Sequence, residues 1–221
     1  VNERFLKDLE FGTGGMRGVV GLGSNRINRY TICKATKALV IQLLKEFNQS
    51  ELSVCLSYDS RLSSRFLAEE CASVLCAYGI KVHFFKECTA VPVLSFSVGE
   101  LKAQAGIMLT ASHNPPEYNG FKVYWQDGSQ VTPPRDEEIV ENYLHHTELS
   151  TIKKISFNEA IKENLIHFVE ADFIETYGQK IKSIHPQQDL IKTQGSKLKI
   201  VYTPLHGTGA AAVMKLAPLW G

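Results

Sequence analysis

Residues 52–85 read LSVCLSYDSRLSSRFLAEECASVLCAYGIKVHFF, and this stretch decides the fold. Its two ends, 52–58 and 80–85, are apolar runs of the length of buried strands. Between them the apolar spacing predicts a helix over 63–78 that ends at Gly79, a residue suited to the left-handed conformation after a helix. Strand, helix and strand with short connections predict a right-handed βαβ crossover, and therefore a sheet with parallel strands.

The same alternation continues on both sides of this unit. Helices are predicted at 30–48, 92–101 and 136–146, a long one at 164–184, and a strand at 105–110. After a turn-rich stretch, residues 121–125 are expected to return as an antiparallel partner, which makes the sheet mixed. The expected fold is therefore a three-layer α/β/α domain around a mixed sheet.

The composition changes near the end of the chain. Residues 183–196 are polar and contain Pro186 and Gly195, which is typical of a linker. A further strand (198–202), a tight loop (204–209) and a helix (210–216) follow, and about 25 residues cannot bury a core of their own. We therefore expect a first domain at 1–185, a linker at 186–196 and the start of a second α/β domain at 197–221. We also expect a fragment, because the chain lacks an initial Met.

Composition excludes several classes of protein. Of the 221 residues, 44% are hydrophobic and 21% charged, which is typical of a globular protein and not of a disordered one. Lys and Arg (24) balance Asp and Glu (23), so no basic surplus favours nucleic acid or a membrane surface. The five cysteines lack any CxxC spacing, and no long apolar run or signal peptide is visible, so we expect a reduced, cytoplasmic protein.

Glycines and one arginine form the first candidate site, FGTGGMRG at residues 11–18. Glycines let several backbone N–H groups approach one anion, and the guanidinium of Arg17 can fork onto phosphate oxygens. Arg17 stands where a dinucleotide fingerprint needs its last glycine, and the Lys of a Walker loop is missing. From these residues alone, a phosphate site and a flexible surface loop are equally open.

A serine and a histidine follow the strand predicted at 105–110, in the segment TASHNPP at 110–116. Ligands of open α/β sheets bind outside the carboxyl ends of the strands, which makes Ser112 a candidate nucleophile. The segment is not the nucleophile elbow of an α/β hydrolase, because the glycines of G-x-S-x-G are absent. The alternative is a capping serine beside a structural His113.

Asn119 and Gly120 are a typical hairpin-turn pair. A turn at that point would carry Lys122 back toward Ser112 and place a cation beside the hydroxyl. The alternative is a solvated lysine with no part in the site.

Two further segments are weaker candidates. Asp59 and Arg61 follow the strand at 52–58, where they could orient a bound phosphate, although a helix cap with an ion pair is favoured from these residues alone. His206 lies in the loop HGTG at 206–209, for which a turn before a helix is at least as good an interpretation.

Taken in order, FGTGGMRG, YDSR, TASHNP, EYNGFKVYW and PLHGTGA resemble the α-D-phosphohexomutase family of phosphoglucomutases and phosphomannomutases. The resemblance covers essentially the whole chain, and the spelling is most similar to the phosphoglucomutase and phosphopentomutase branch. It implies an enzyme that interconverts glucose 1-phosphate and glucose 6-phosphate through a phosphoserine and a sugar 1,6-bisphosphate, which also serves as activator.

The resemblance also implies roles for individual residues. Ser112 would carry the phosphoryl group and bind Mg²⁺, while His113, Lys122 and Arg17 would assist the transfer. The remaining positions are expected to bind the phosphosugar substrate: Thr13, Gly14, Arg17, Asp59, Arg61, Asn114 and His206.

The chain departs from the family pattern in what it lacks. The Mg²⁺-binding D-G-D-x-D-R loop, the sugar-selecting G-E-E-S-G loop and the R-x-S-G-T-E-P loop are absent from these 221 residues. The resemblance therefore predicts a first domain that needs the remaining domains of a longer protein as partners and is inactive alone. Three alternatives are kept: a phosphopentomutase, a phosphomannomutase, or a non-catalytic sugar-phosphate binding or assembly module. A serine phosphatase or hydrolase is disfavoured, because no motif for releasing the phosphoserine to water is visible.

Overall fold

The computed structural model describes residues 2–12, 15–48 and 52–220. In these ranges the strands are β1 (Phe11–Gly12), β2 (Gly15–Val19), β3 (Ser53–Tyr58), β4 (Lys81–Phe85), β5 (Ala105–Leu109), β6 (Tyr118–Trp125) and β7 (Ile166–Val169). The helices are α1 (Asn2–Phe5), α2 (Arg29–Glu46), α3 (Ser64–Ala77), α4 (Val91–Glu100), α5 (Arg135–His145), α6 (Phe157–Lys162), α7 (Phe173–Ile184), α8 (Gln188–Gln194) and α9 (Gly209–Trp220). No helix in these ranges is both long and apolar enough to cross a membrane.

The strands form one mixed sheet in the order β1-β2-β6-β5-β3-β4-β7. Strands β5, β3, β4 and β7 run parallel to one another, whereas β1, β2 and β6 pair antiparallel and β6 joins β5 antiparallel. The prediction of a mixed sheet with a central βαβ unit is therefore confirmed. The parallel half follows from the helical crossovers, which a hairpin cannot provide.

Two hydrophobic cores lie on opposite faces of the sheet. Alternate residues of β3 supply both, since Val54 and Leu56 belong to the core with α2, α3 and α5, while Cys55 belongs to the core with α4 and α7. Every residue of β3 and β5 is buried, as expected for central strands with helices on both sides. The predicted three-layer α/β/α architecture is confirmed.

Local signals define the ends of the two longest helices of the first core. Asn28 caps α2 by accepting hydrogen bonds from the amides of Tyr30 and Thr31, and the Thr31 hydroxyl accepts one from the Asn28 amide. Gly79 follows α3 with a φ of 76°, which is the left-handed conformation that the sequence predicted there.

The single long helix predicted over 164–184 is wrong. Residues Ile166–Val169 form β7, which pairs parallel with β4, and only Phe173–Ile184 is helical. Ile166 and Val169 are both buried, and their spacing of three residues also fits a helix. The free edge of β4 decides between the two, because pairing there satisfies the backbone of both strands.

The hairpin turn predicted at Asn119 and Gly120 is also wrong. Both residues lie inside β6, where Asn119 is opposite Gly18 and Gly120 is opposite Arg17. The chain reverses earlier, through residues 110–117. The Asn119 side chain donates hydrogen bonds to the hydroxyls of Ser63 and Ser64, so tertiary contacts override the local turn preference.

The end of the chain differs from expectation in one element and matches it in another. No strand forms at 198–202 in the described structure, where Leu198, Ile200 and Val201 are 67%, 78% and 100% exposed. A strand needs a neighbour for its backbone groups, and the described residues place none beside this segment. The predicted terminal helix is α9, while α8 occupies most of the expected linker. The division into two domains stays a prediction.

Gly120 tests how closely β2, β6 and the serine loop approach one another. A Cβ at this position would lie 2.6 Å from the Met16 carbonyl oxygen and 2.7 Å from that of Thr110. Because both neighbours are backbone, we expect Gly120→Ala to lower the free energy of unfolding by about 1–3 kcal/mol. Gly99→Ala in α4 is the control, since nothing lies within 4 Å of its added Cβ. Urea unfolding measures both, and equal stabilities for the two variants would contradict the packing.

Candidate active site

A cleft of about 610 Å³ opens at the carboxyl ends of β3 and β5. Three of the candidate segments meet there, since Asp59 and Arg61, Ser112 to Asn114, and His206 all line it. This is the edge of the sheet at which α/β proteins bind ligands. The order of the strands brings Asp59, Arg61 and Ser112 to one place, whereas His206 reaches the cleft from the irregular segment before α9.

Ser112 stands exposed at this cleft in a strained conformation. Its φ is 58°, in the left-handed region that residues with a Cβ rarely adopt. Strain of this kind costs about 1–3 kcal/mol and clusters at functional sites. The Ser112 amide donates to the Thr110 hydroxyl at 2.9 Å, and its own Oγ lies 3.4 Å from Nδ1 of His113. The nucleophile candidate is therefore presented with its hydroxyl accessible from the cleft.

Asp59 is the buried anchor behind the serine. Its Oδ1 accepts hydrogen bonds from the Ser64 hydroxyl at 2.6 Å and the Arg61 amide at 3.1 Å. Its Oδ2 accepts from Nε of Arg61 at 3.0 Å and from the Thr110 hydroxyl at 2.6 Å. Both carboxylate oxygens are thus engaged. The ion pair favoured from the sequence is present, but the helix cap is not, because the N-cap of α3 is Ser63, whose side chain makes no capping hydrogen bond.

Arg61 reaches from the N-terminal side of α3 to the loop that carries the serine. Its Nη1 donates to the carbonyl oxygens of Pro115 and Tyr118 at 2.6 and 2.9 Å. Its Nη2 donates to those of Ser112 and Asn114 at 3.0 and 2.7 Å. One guanidinium therefore ties together both ends of the loop.

Arg17 approaches the same loop from the other side. It projects from β2, is exposed, and donates from Nη1 to Oδ1 of Asn114 at 2.8 Å. The structure thus brings Arg17 to the serine segment, as the role implied by the family resemblance requires. The predicted phosphate-binding positions Thr13 and Gly14 lie outside the described residues.

Lys122 sits beside Arg17 and not in the cleft. It lies in β6, between Gly15 of β2 and Met108 of β5, and is half-buried. Burial, and then the nearby positive charge of Arg17, hold the pKa of its ammonium below the usual value of a lysine. Among the described residues, those that line the cleft include neither Lys122 nor Arg17.

The comparisons with known proteins agree with this geometry. Residues 8–150 match the family described as phosphoglucomutase/phosphomannomutase, alpha/beta/alpha domain I. The chain belongs to this family. A phosphoglucomutase from Staphylococcus saprophyticus is 35% identical over 213 residues, and a phosphopentomutase from Homo sapiens is 32% identical over 214. A crystal structure from Thermus thermophilus, assigned as a phosphomannomutase, superposes on 84% of the chain with a TM-score of 0.68 and 26% identity.

These relatives of the phosphoglucomutase/phosphomannomutase family are much longer than the chain. The aligned residues cover 96% of the chain but 37% of the Staphylococcus enzyme, and 93% but 34% of the human one. The Thermus structure is covered to 38%. The chain therefore spans about a third of the length of these relatives, and residues 8–150 are the part that matches domain I.

The family resemblance implies Mg²⁺, and the described residues do not form a site for it. Mg²⁺ prefers several oxygen ligands, chiefly carboxylates and waters. The one carboxylate on the described lining of the cleft is Asp59, and both of its oxygens already accept two hydrogen bonds each. No cluster of three or more His, Cys, Asp or Glu side chains suited to a metal occurs in the described ranges. Ser112 alone does not make a metal site.

Sequence reasoning missed the residues that support the family's serine loop. Thr110 and Ser64 hold Asp59, and Asn119 joins the hydroxyls of Ser63 and Ser64 to β6. Thr110 lies inside the quoted TASHNP segment, so the signal was present, but its role depends on a partner 51 residues away. The role of the Asn119 side chain was not predicted, because the Asn-Gly pair was interpreted as a turn.

The pKa of Lys122 tests the contact between the two cations of the site. Replacing Arg17 by Gln removes a positive charge that destabilises the protonated form of Lys122. The pKa of Lys122 is therefore expected to rise toward the ordinary value of a lysine. Part of the depression remains, because burial is its larger cause. Carbon-13 NMR of labelled lysine side chains measures the change. Arg65→Gln on the exposed face of α3 is the control, and an identical Lys122 pKa in both variants would contradict the coupling.

Proposed function

We propose that the chain is the phosphoserine-bearing domain of a phosphosugar mutase. The observation that carries this proposal is Ser112, held exposed in a left-handed conformation at the mouth of the cleft. Serine hydroxyls presented to a ligand cleft can accept and donate transferred groups. Family membership supports the same reaction class.

The proposed reaction is a transfer of one phosphoryl group in each direction. A sugar monophosphate hydroxyl attacks the phosphorus on Ser112, the bond from phosphorus to Oγ breaks, and a sugar bisphosphate forms. The bisphosphate then reorients in the site. Oγ attacks its other phosphate, which restores the phosphoserine and releases the isomeric monophosphate. In each half the attacking hydroxyl loses its proton, and the leaving oxygen is protonated or stays an anion that a nearby cation stabilises.

The described residues supply positioning and charge for such a transfer. Phosphoryl transfer depends mainly on alignment and on neutralising the equatorial oxygens. Arg17 carries a positive charge beside Asn114 in the serine loop, and its guanidinium can fork onto phosphate oxygens. His113 is close to Oγ of Ser112 and is proposed to exchange a proton with the reacting hydroxyl. Lys122 lies beside Arg17, outside the described lining of the cleft, and is proposed to assist where the bound phosphosugar reaches toward Arg17. Asn114 and His206 are proposed to contact the substrate.

The proposed substrate pair is glucose 1-phosphate and glucose 6-phosphate, in the cytoplasm, with a sugar 1,6-bisphosphate as activator. The relatives also include phosphopentomutases, and the Thermus structure is assigned as a phosphomannomutase, so pentose and mannose phosphates are the alternatives. In family members the choice is expected from loops that this chain does not contain. The Mg²⁺ ligands other than Ser112 are expected from a D-G-D-x-D-R loop, which these 221 residues do not contain.

A second candidate is a non-catalytic module that binds a sugar phosphate. It would use the same described cleft for binding, without a transfer step. The gene distinguishes the two. An in-frame continuation beyond Gly221 that encodes such a loop supports the mutase, whereas a stop codon supports the module.

Phosphopeptide mapping tests the proposed phosphoserine. We expect the full-length protein, incubated with glucose 1,6-bisphosphate, to carry one phosphoryl group on Ser112 and to lose it when glucose 6-phosphate is added. Ser112→Ala should abolish the label because no other hydroxyl is presented in the same conformation among the described cleft residues. Ser60→Ala, which removes another exposed hydroxyl from the cleft, is the control and should be labelled normally. An unmodified Ser112 or a label on Ser60 would contradict the proposal.

The chain by itself should bind a sugar phosphate weakly and should not turn it over. The described residues include no cluster of side chains suited to a metal, and the family's sugar-selecting G-E-E-S-G loop is not among these 221 residues. A coupled assay with purified 221-residue chain is expected to show no conversion of glucose 1-phosphate above the Ser112→Ala background. Conversion that disappears in Ser112→Ala would contradict this prediction.

A further inference from the structure

We propose that Arg61 is a positioning residue that holds the Ser112 loop, and that it does not bind the substrate phosphate. This inference deepens the proposed phosphosugar mutase and rests on it for the identity of the reaction. It differs from the expectation drawn from the family resemblance, in which Arg61 contacts phosphate. What decides between the two roles is where the hydrogen bonds of one guanidinium go.

Every N–H group of the Arg61 side chain is matched by an acceptor. A guanidinium has five N–H donors, one on Nε and two on each Nη. Nε is bonded to Asp59, Nη1 to two carbonyl oxygens and Nη2 to two more, at distances of 2.6 to 3.0 Å. A phosphate could take one of these donors only if Asp59 or a carbonyl of the loop lost its hydrogen bond to Arg61, which would release the loop that Arg61 holds.

The four carbonyls all belong to the loop that presents the nucleophile. They come from Ser112, Asn114, Pro115 and Tyr118, so a single planar group sets the relative positions of both ends of the loop. These carbonyls lie 51 to 57 residues from Arg61 in sequence. The contact therefore forms only when β3 and β5 are side by side.

Ser112 itself is pinned on both sides of its strained residue. Its amide donates to the Thr110 hydroxyl, and its carbonyl accepts from Arg61. Both partners are oriented by the same atom, because Oδ2 of Asp59 accepts from Nε of Arg61 and from the Thr110 hydroxyl. One buried carboxylate oxygen thus fixes the two groups that maintain the left-handed φ.

The charges of Arg61 and Arg17 also differ in how far they are neutralised by neighbouring groups. The Arg61 and Asp59 side chains are each 11% exposed and form an ion pair, so much of the positive charge is neutralised inside the protein. Arg17 is exposed, and its one side-chain hydrogen bond within the described structure goes to the neutral Asn114. Of the two arginines, Arg17 has the charge and the donors that a phosphate needs.

Arg61→Lys is the first variant, because it keeps the charge and reduces five donors in a plane to three on one nitrogen. Hydrogen–deuterium exchange reads the loop directly at the amides of Ser112, Asn114 and Tyr118, which are bonded to Thr110, Ala111 and Pro115. We expect exchange at these amides to accelerate about ten- to hundredfold, with the amides of β3 unchanged. Arg65→Lys, on an exposed arginine of α3, is the control and should leave the loop unaffected.

Kinetics of the full-length protein separate positioning from phosphate binding. A misplaced nucleophile lowers the rate while the substrate is still bound, so we expect kcat to fall about tenfold or more in Arg61→Lys, with KM for the sugar phosphate within about twofold of wild type. A raised KM with unchanged kcat would show that Arg61 binds phosphate and would overturn the inference. Unchanged exchange of the loop amides in folded Arg61→Lys would also overturn it.

A second pair of variants keeps the test available where Arg61→Lys does not fold. Thr110→Val removes the hydroxyl at nearly constant volume and frees the Ser112 amide, whereas Thr110→Ser retains the hydroxyl. We expect faster exchange at Ser112 in the valine variant and rescue in the serine variant, and equal exchange in the two would contradict the arrangement around Asp59. The proposed function fails separately, through absence of phosphate on Ser112 in the wild-type protein, whereas the exchange experiments do not depend on turnover.

Discussion

The buried carboxylate of Asp59 is the interaction on which the site depends. It lies directly after β3, where it accepts four hydrogen bonds from the first turn of α3, from Arg61 and from Thr110 after β5. An isolated buried charge would be strongly unfavourable, and full hydrogen bonding together with the ion pair to Arg61 offsets that penalty. The same bonds connect two neighbouring parallel strands with the helix that follows β3.

The strain at Ser112 follows from this anchor. A left-handed serine is maintained only when surrounding contacts over-determine it, and here the amide and the carbonyl of the residue are both held. Backbone packing adds to the effect, because Gly120 lets the chain at Thr110 approach β2 and β6 more closely than any side chain would allow. The loop therefore presents the hydroxyl from a rigid base, which group transfer requires.

Much of the fold could be predicted because its signals are local. The strands and helices between residues 30 and 146 follow apolar periodicity, and Gly79 ends α3 as its type suggests. Besides the strand expected at 198–202, which has no neighbour in the described structure, two errors fall where two local interpretations compete. Ile166 and Val169 fit a helix as well as a strand, and the Asn119–Gly120 pair fits a turn as well as the interior of β6. Tertiary contacts decide each case: the edge of β4 for Ile166–Val169, and pairing with β2 together with the side-chain hydrogen bonds of Asn119 for β6.

The sequence by itself determined the family and the identity of the candidate nucleophile. FGTGGMRG and TASHNP are contiguous motifs, so they can be recognised from the order of the residues without a structure. Only the tertiary structure decided what the residues around Ser112 do. Arg61 is satisfied by carbonyls more than fifty residues away, and Lys122 lies beside Arg17 and not on the described lining of the cleft. The physical reason is that hydrogen-bond partners and charge neighbours are set by strand order, which brings distant segments together and which no single segment encodes.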